Sequence, residues 1–161
     1  MHIWTIEKWK RLLPPERITP YNKVYLFCDS SIDPEVKTAC WDFVDWLKGE
    51  YTFPLPMRIY VRVAKRIKAL DGDLVCGTFF EPDDYRQNPC IRIATGDYDE
   101  LRVRDGRDDA LAALLLTLAH EMTHYFQWIN DLKLTEMGRE RQAAQYACYI
   151  LDEYAETREH P

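Results

Sequence analysis

An α+β fold, with a small mixed sheet in the first part of the chain and long helices in the last, is what this sequence predicts. Three observations carry that expectation. Short β-branched and aromatic runs recur between residues 24 and 95. A helix start, Asp33-Pro34-Glu35, lies among them. From about Arg107 onward the apolar spacing takes up the helical period and keeps it. Residues 1–161 read as one domain, with a sheet-containing part over 1–104 and a helical part over 105–161. That length fits one compact unit.

The elements follow in order. Thr5–Leu13 predicts a short amphipathic helix, stopped by Pro14-Pro15. Val24–Cys28 is rich enough in branched and aromatic residues to be a strand. Asp33 caps the next helix. Pro34 suits its first position, where no N–H is needed, and Glu35 meets the helix dipole. Val36, Cys40, Phe43, Val44 and Leu47 recur at helical spacing, so this helix should reach Leu47 or Lys48 and stop at Gly49. Met57–Val63 alternates apolar with polar and predicts a half-buried strand.

Ala64–Leu70 predicts a helical turn or two before Asp71-Gly72-Asp73 breaks it. Leu74–Phe80 and Cys90–Thr95 predict two further strands, joined by the loop 81–89. Asp105, Asp108 and Asp109 cluster where a helix dipole favours negative charge. The helix they introduce carries Leu111, Leu114, Leu115 and Leu118, runs to Trp128 or Ile129, and leaves at Asn130-Asp131. A last helix is capped by Thr135 and runs to about Thr157. Nothing repeats internally.

Composition excludes several classes. A net charge of −6 argues against nucleic-acid binding, which wants a basic face. The one basic cluster, Arg58, Arg62, Lys65, Arg66 and Lys68, reads as a solvated strand edge and short helix. Five cysteines, odd in number and without C-x-x-C spacing, form neither a disulfide framework nor a cysteine metal site. The first residues lack a signal-peptide apolar stretch, and the longest apolar run, Ala110–Ala119, is too short to span a bilayer. A reduced, cytoplasmic protein with neither nucleic-acid nor membrane partners is expected.

His120-Glu121-Met122-Thr123-His124 carries the chemistry. Histidines four apart leave the same helix face, so both imidazoles can reach one metal ion. Glu121 between them sits where it can hold a water without ligating the metal. A catalytic zinc site takes three protein ligands and keeps a position open. His2 and His160 lie at opposite chain ends, so the third ligand is sought among Glu136, Glu140, Glu153 and Glu156 of the last helix. Glu140 is preferred, because a short connection folds its helix back on the motif and small residues follow it; Glu136, one turn earlier, is the reserve.

The motif, followed by Glu140-x-x-Ala143 and the pair Tyr146-Ala147, resembles the gluzincin metallopeptidases over Leu114–Leu151. That resemblance implies a zincin-like fold and a zinc ion held by His120, His124 and Glu140. It also implies hydrolysis of a peptide or protein substrate with Glu121 as general base. The family stabilises the oxyanion with a tyrosine, histidine or arginine, for which Tyr146, Tyr149, Tyr154 and His160 stand as candidates. Cys76–Phe80 is the candidate edge strand for pairing with substrate, whereas Tyr125, Phe126 and Trp128 read as core.

This chain departs from the family at Ala144, where an aspartate usually supports a zinc-bound histidine. A backbone carbonyl or Asp131 would then have to supply that contact. The separation of His124 and Glu140 is also short for the family. Two competing readings remain: a zinc-binding regulatory module of the same fold with little turnover, and a helical scaffold whose histidines are incidental.

Overall fold

Alternation of apolar and polar side chains places Met57, Ile59 and Val61 on the buried face of one strand, and that strand is central to the sheet. The computed structural model describes residues 1–161. In chain order it contains α1 (Trp9–Leu12), β1 (Val24–Cys28), α2 (Pro34–Glu50), β2 (Met57–Arg62), β3 (Ile67–Lys68), β4 (Leu74–Val75), β5 (Gly77–Phe80), β6 (Cys90–Ala94), α3 (Tyr98–Asp105), α4 (Arg107–Ile129) and α5 (Glu136–Ala155). The main sheet has the order β1-β2-β6-β5. Its first three strands are parallel, and β5 pairs antiparallel with β6 at the edge. The result is an α+β fold around a small mixed sheet, with five α-helices. No helix is long and apolar enough to cross a membrane.

Several expectations need correction. The helix foreseen over Thr5–Leu13 shrinks to Trp9–Leu12, because Ile3 and Trp4 are drawn into the core. Trp4 stacks on Phe126 at 4.7 Å between ring centroids and donates its indole N–H to Thr123 Oγ1 at 3.1 Å. Asp33 does cap α2, accepting from the Glu35 N–H at 2.8 Å. The helix nonetheless passes through Gly49 and ends when buried Tyr51 turns extended.

Ala64–Leu70 holds no helix. Ile67–Lys68 pairs with Leu74–Val75 in a small hairpin whose turn uses Gly72 at φ 92°. The strand foreseen over Leu74–Phe80 is split at Cys76, where the chain changes partner: β4 pairs with β3, while β5 pairs with β6. A helix not foreseen, α3, precedes α4. Five of its eight residues are charged and it buries only Tyr98, so it carries no apolar stripe to read. Gly106 at φ 93° separates the two.

α4 lies between the sheet and α5. From Leu118 to Ile129 only His120 escapes burial. The core gathers Trp4, Phe43, Phe53, Leu55, Tyr125 and Phe126, of which Tyr125 ties the helix to a segment outside the sheet. Its hydroxyl accepts from the Leu55 N–H and donates to the Leu55 carbonyl, both at 3.0 Å. Leu55 is fully buried, so no water can replace that hydroxyl. Replacing Tyr125 by Phe should therefore cost about 1–3 kcal/mol of stability. Urea unfolding reads this as a lower midpoint with an unchanged m-value; an unchanged midpoint would show that the contact contributes nothing.

Candidate metal centre

The site begins with how α5 returns. Asp131 takes a left-handed turn at φ 49°, and Thr135 caps α5 by accepting from the Gly138 N–H at 3.0 Å. α5 then runs back along α4, and its buried Ala143 and Ala147 are small enough to let the helices approach closely. That approach inserts Glu140 between the two histidines. Its Oε2 lies 2.9 Å from His120 Nε2, and its Oε1 lies 3.2 Å from His124 Nε2. The ligand-type atoms of His120, His124 and Glu140 all fall within 4.8 Å of one another. Two imidazole nitrogens and one carboxylate converging on one point form a donor set suited to zinc.

The contact that Ala144 cannot make comes from Gln127, one helical turn beyond His124. Gln127 Nε2 donates to the Arg139 carbonyl and to Gln142 Oε1, each at 3.0 Å. Those two acceptors fix the amide orientation and leave Gln127 Oε1 facing His124 Nδ1 at 2.7 Å. His124 must then carry its proton on Nδ1, which frees the Nε2 lone pair toward Glu140. Arg139 Nε also approaches His124 Nδ1, at 3.3 Å, but the shorter contact sets the tautomer. Asp131, the expected alternative support, instead pairs with Lys133.

Glu121 is buried beside the triad, 8% exposed. β5 comes so close to α4 that a Cβ on Gly77 would stand 2.8 Å from Thr117 Cγ2 and 3.1 Å from Glu121 Cγ. Only a glycine fits there. Burial drives the Glu121 carboxyl up to about 8, the Glu140 charge adds to the rise, and Arg139 opposes it. Burial likewise lowers the His124 pKa.

A cleft of about 780 Å³ opens over these groups. Val75–Phe79 form one wall, Thr117, His120, Glu121 and His124 lie on α4, and α5 lines the other side from Glu136 to Cys148. The edge-strand candidate therefore borders the site. Glu136, the reserve ligand, lines the cleft but stands outside the three converging donors.

The oxyanion candidates do not. Tyr146 donates to the Met1 carbonyl, and Tyr149 packs edge-on against His2. Tyr154 is buried against Phe43 and Trp46, and His160 binds Asp108. Glu153 accepts from the Tyr51 hydroxyl. Gln127 and Arg139 went unnoticed in the sequence. Gln127, three residues after His124 on the same helix face, was the readable signal; Arg139 was marked only by its place beside Glu140.

No family model, no curated protein and no solved structure matches this chain.

The elevated carboxyl of Glu121 has a consequence for stability. Its folded pKa, about 8, exceeds its ordinary 4.5, so the folded chain without metal holds a proton that the unfolded chain releases. That contribution is complete below the ordinary value and is lost as pH rises through about 8. After chelator treatment, Glu121→Gln should melt roughly 5 °C or more above the parent at pH 8.5 and within about 2 °C of it at pH 5. Equal differences at both pH values would contradict the assignment.

Proposed function

We propose that this chain is a small zinc-dependent peptidase, gluzincin-like in its ligands and zincin-like in its fold, acting on peptide or protein substrates. The observation that supports it best is the convergence of His120, His124 and Glu140 beside a buried Glu121, with Gln127 holding His124 in the ligand tautomer. His120, His124 and Glu140 would hold a zinc ion, which would supply a Lewis acid for carbonyl polarisation and water activation.

The chain's own groups do the rest. Glu121 takes the proton from the attacking water and passes it to the leaving nitrogen, as the C–O bond forms and the C–N bond breaks. β5 offers an unpaired strand edge along the cleft, on which an extended peptide can add as a further strand. The five free thiols suit a reducing compartment, so the cytoplasm is the proposed location.

The alternative, a zinc-binding regulatory module with little turnover, drew its main support from Ala144. Gln127 supplies a hydrogen bond to His124 Nδ1, and Glu121 is in place, so hydrolysis is the preferred reading.

Purified protein should contain zinc at about one ion per chain. A protein that neither contains nor takes up zinc rules out both readings. Glu121→Gln should keep its zinc and lose cleavage by about 10²–10⁴-fold. Glu140→Ala should lose zinc instead; retention would move the third ligand elsewhere. Gln127→Leu should lower zinc affinity or activity roughly 10–100-fold, which a competition titration against a chelator measures. An unchanged affinity and rate would remove Gln127 from the site.

A further inference from the structure

The free charges in the lining of the metal cleft are all negative. Arg139 is the only lysine or arginine there, and its guanidinium donates to Glu81 at 2.9 Å. Four carboxylates line the same space. Glu140 faces the two imidazoles and Glu121 lies buried beside them, so both belong to the centre itself. Asp73 and Glu136 remain, exposed and with no cation paired to either.

These two carboxylates stand toward opposite ends of the cleft. β5 follows α4 in the same direction. Gly77 lies against Thr117 and Glu121, while Phe79 lies 6.5 and 6.2 Å, between ring centroids, from Tyr125 and Trp128. Asp73 precedes β4 and joins the lining from the Gly77 end. α5 runs the other way along α4, since Glu140 meets His120 and His124 while the Arg139 carbonyl meets Gln127. Glu136, a turn before Glu140, therefore lies toward the Phe79 end. It stands about 6 Å along the helix from Glu140 at the rise of 1.5 Å per residue. That is close to two residues of extended peptide, at about 3.3 Å each. The converging donors of His120, His124 and Glu140 lie between the two free charges.

From this placement, and resting on the peptidase reading above, we infer that the cleft selects cationic peptides, with a lysine or arginine on each side of the bond to be broken. A divalent ion at the triad is matched in charge by the Glu140 and Glu121 carboxylates, which leaves Asp73 and Glu136 for the substrate. The net charge of −6 adds a field that draws such peptides toward the protein. A peptide added antiparallel to β5, the more stable pairing, passes Glu136 with the residues before the bond and Asp73 with those after it. An acidic peptide meets the same two charges as repulsion.

The test uses the zinc-loaded full chain and end-blocked decapeptides of one sequence, in which the residues flanking the central bond are lysine, glutamine or glutamate, with products read by mass spectrometry. Lysine peptides should be cut about tenfold or more faster in kcat/KM than glutamate peptides. The ratio should fall toward one in about 1 M salt, where screening acts within about 3 Å. Equal rates for the two peptides, or a ratio indifferent to salt, overturn the preference and leave the peptidase reading standing.

A readout without turnover comes from calorimetry on the zinc-loaded Glu121→Gln protein, where the lysine peptide should bind about tenfold more tightly than the glutamate one. Equal binding overturns the preference. No cleavage of any peptide, with the binding difference kept, overturns the peptidase reading alone. Two exposed substitutions assign the sides. Glu136→Gln should erase the preference before the bond and Asp73→Asn the preference after it, acting on KM rather than kcat. A preference kept in both variants overturns their role, and loss of zinc from Glu136→Gln overturns that of Glu136 by making it a ligand.

Discussion

Close contact between α4 and α5 is the constraint from which the rest of the site follows. Two histidines on one helix face supply two of the three converging donors, and the third arrives on a separate helix. Ala143 and Ala147, both fully buried, bring that helix near enough for the Glu140 carboxylate to reach both imidazoles. Gln127 then ties the pair together, donating to the Arg139 carbonyl and to Gln142 while accepting from His124. One amide thus links the helices and sets a tautomer. Turned over, it would face His124 with its NH₂ group and could no longer accept from Nδ1.

The sheet contributes from the opposite side. β5 lies over α4 at the one point where a glycine removes the side chain that would collide, and this closeness helps bury Glu121. A carboxyl so placed has lost water, sits near the charge of Glu140, and is only partly relieved by Arg139. Such an arrangement disfavours the ionised form in the absence of a metal. Arg139 has three neighbours at once: it tempers Glu121, approaches His124, and pairs with Glu81.

Much of the scaffold was legible because local signals and tertiary demands agreed. Asp33-Pro34-Glu35 opens α2 where capping chemistry says it should, β1, β2 and β6 follow their apolar patterns, and Thr135 opens α5. The failures share a cause. α3 buries one residue and so has no apolar period to detect, and β3 and β4 are two residues each, too short to show a pattern. The break at Cys76 reflects a change of pairing partner, and the shortened α1 reflects burial of Ile3 and Trp4. Both depend on residues distant in sequence.

Within the site the division is the same. Sequence alone determined that His120 and His124 share a helix face with Glu121 between them, since the spacing is a property of the helix itself. It also placed Glu140 on a helix that a short connection returns to the motif. Only the tertiary structure decided that Glu140, rather than Glu136, reaches both imidazoles, and that Gln127 faces His124 Nδ1. It alone set the four oxyanion candidates away from the cleft and paired Arg139 with Glu81. Helical spacing is local and survives in any context, whereas the angle and distance between two helices are set by the small residues packed between them and by everything that packs outside.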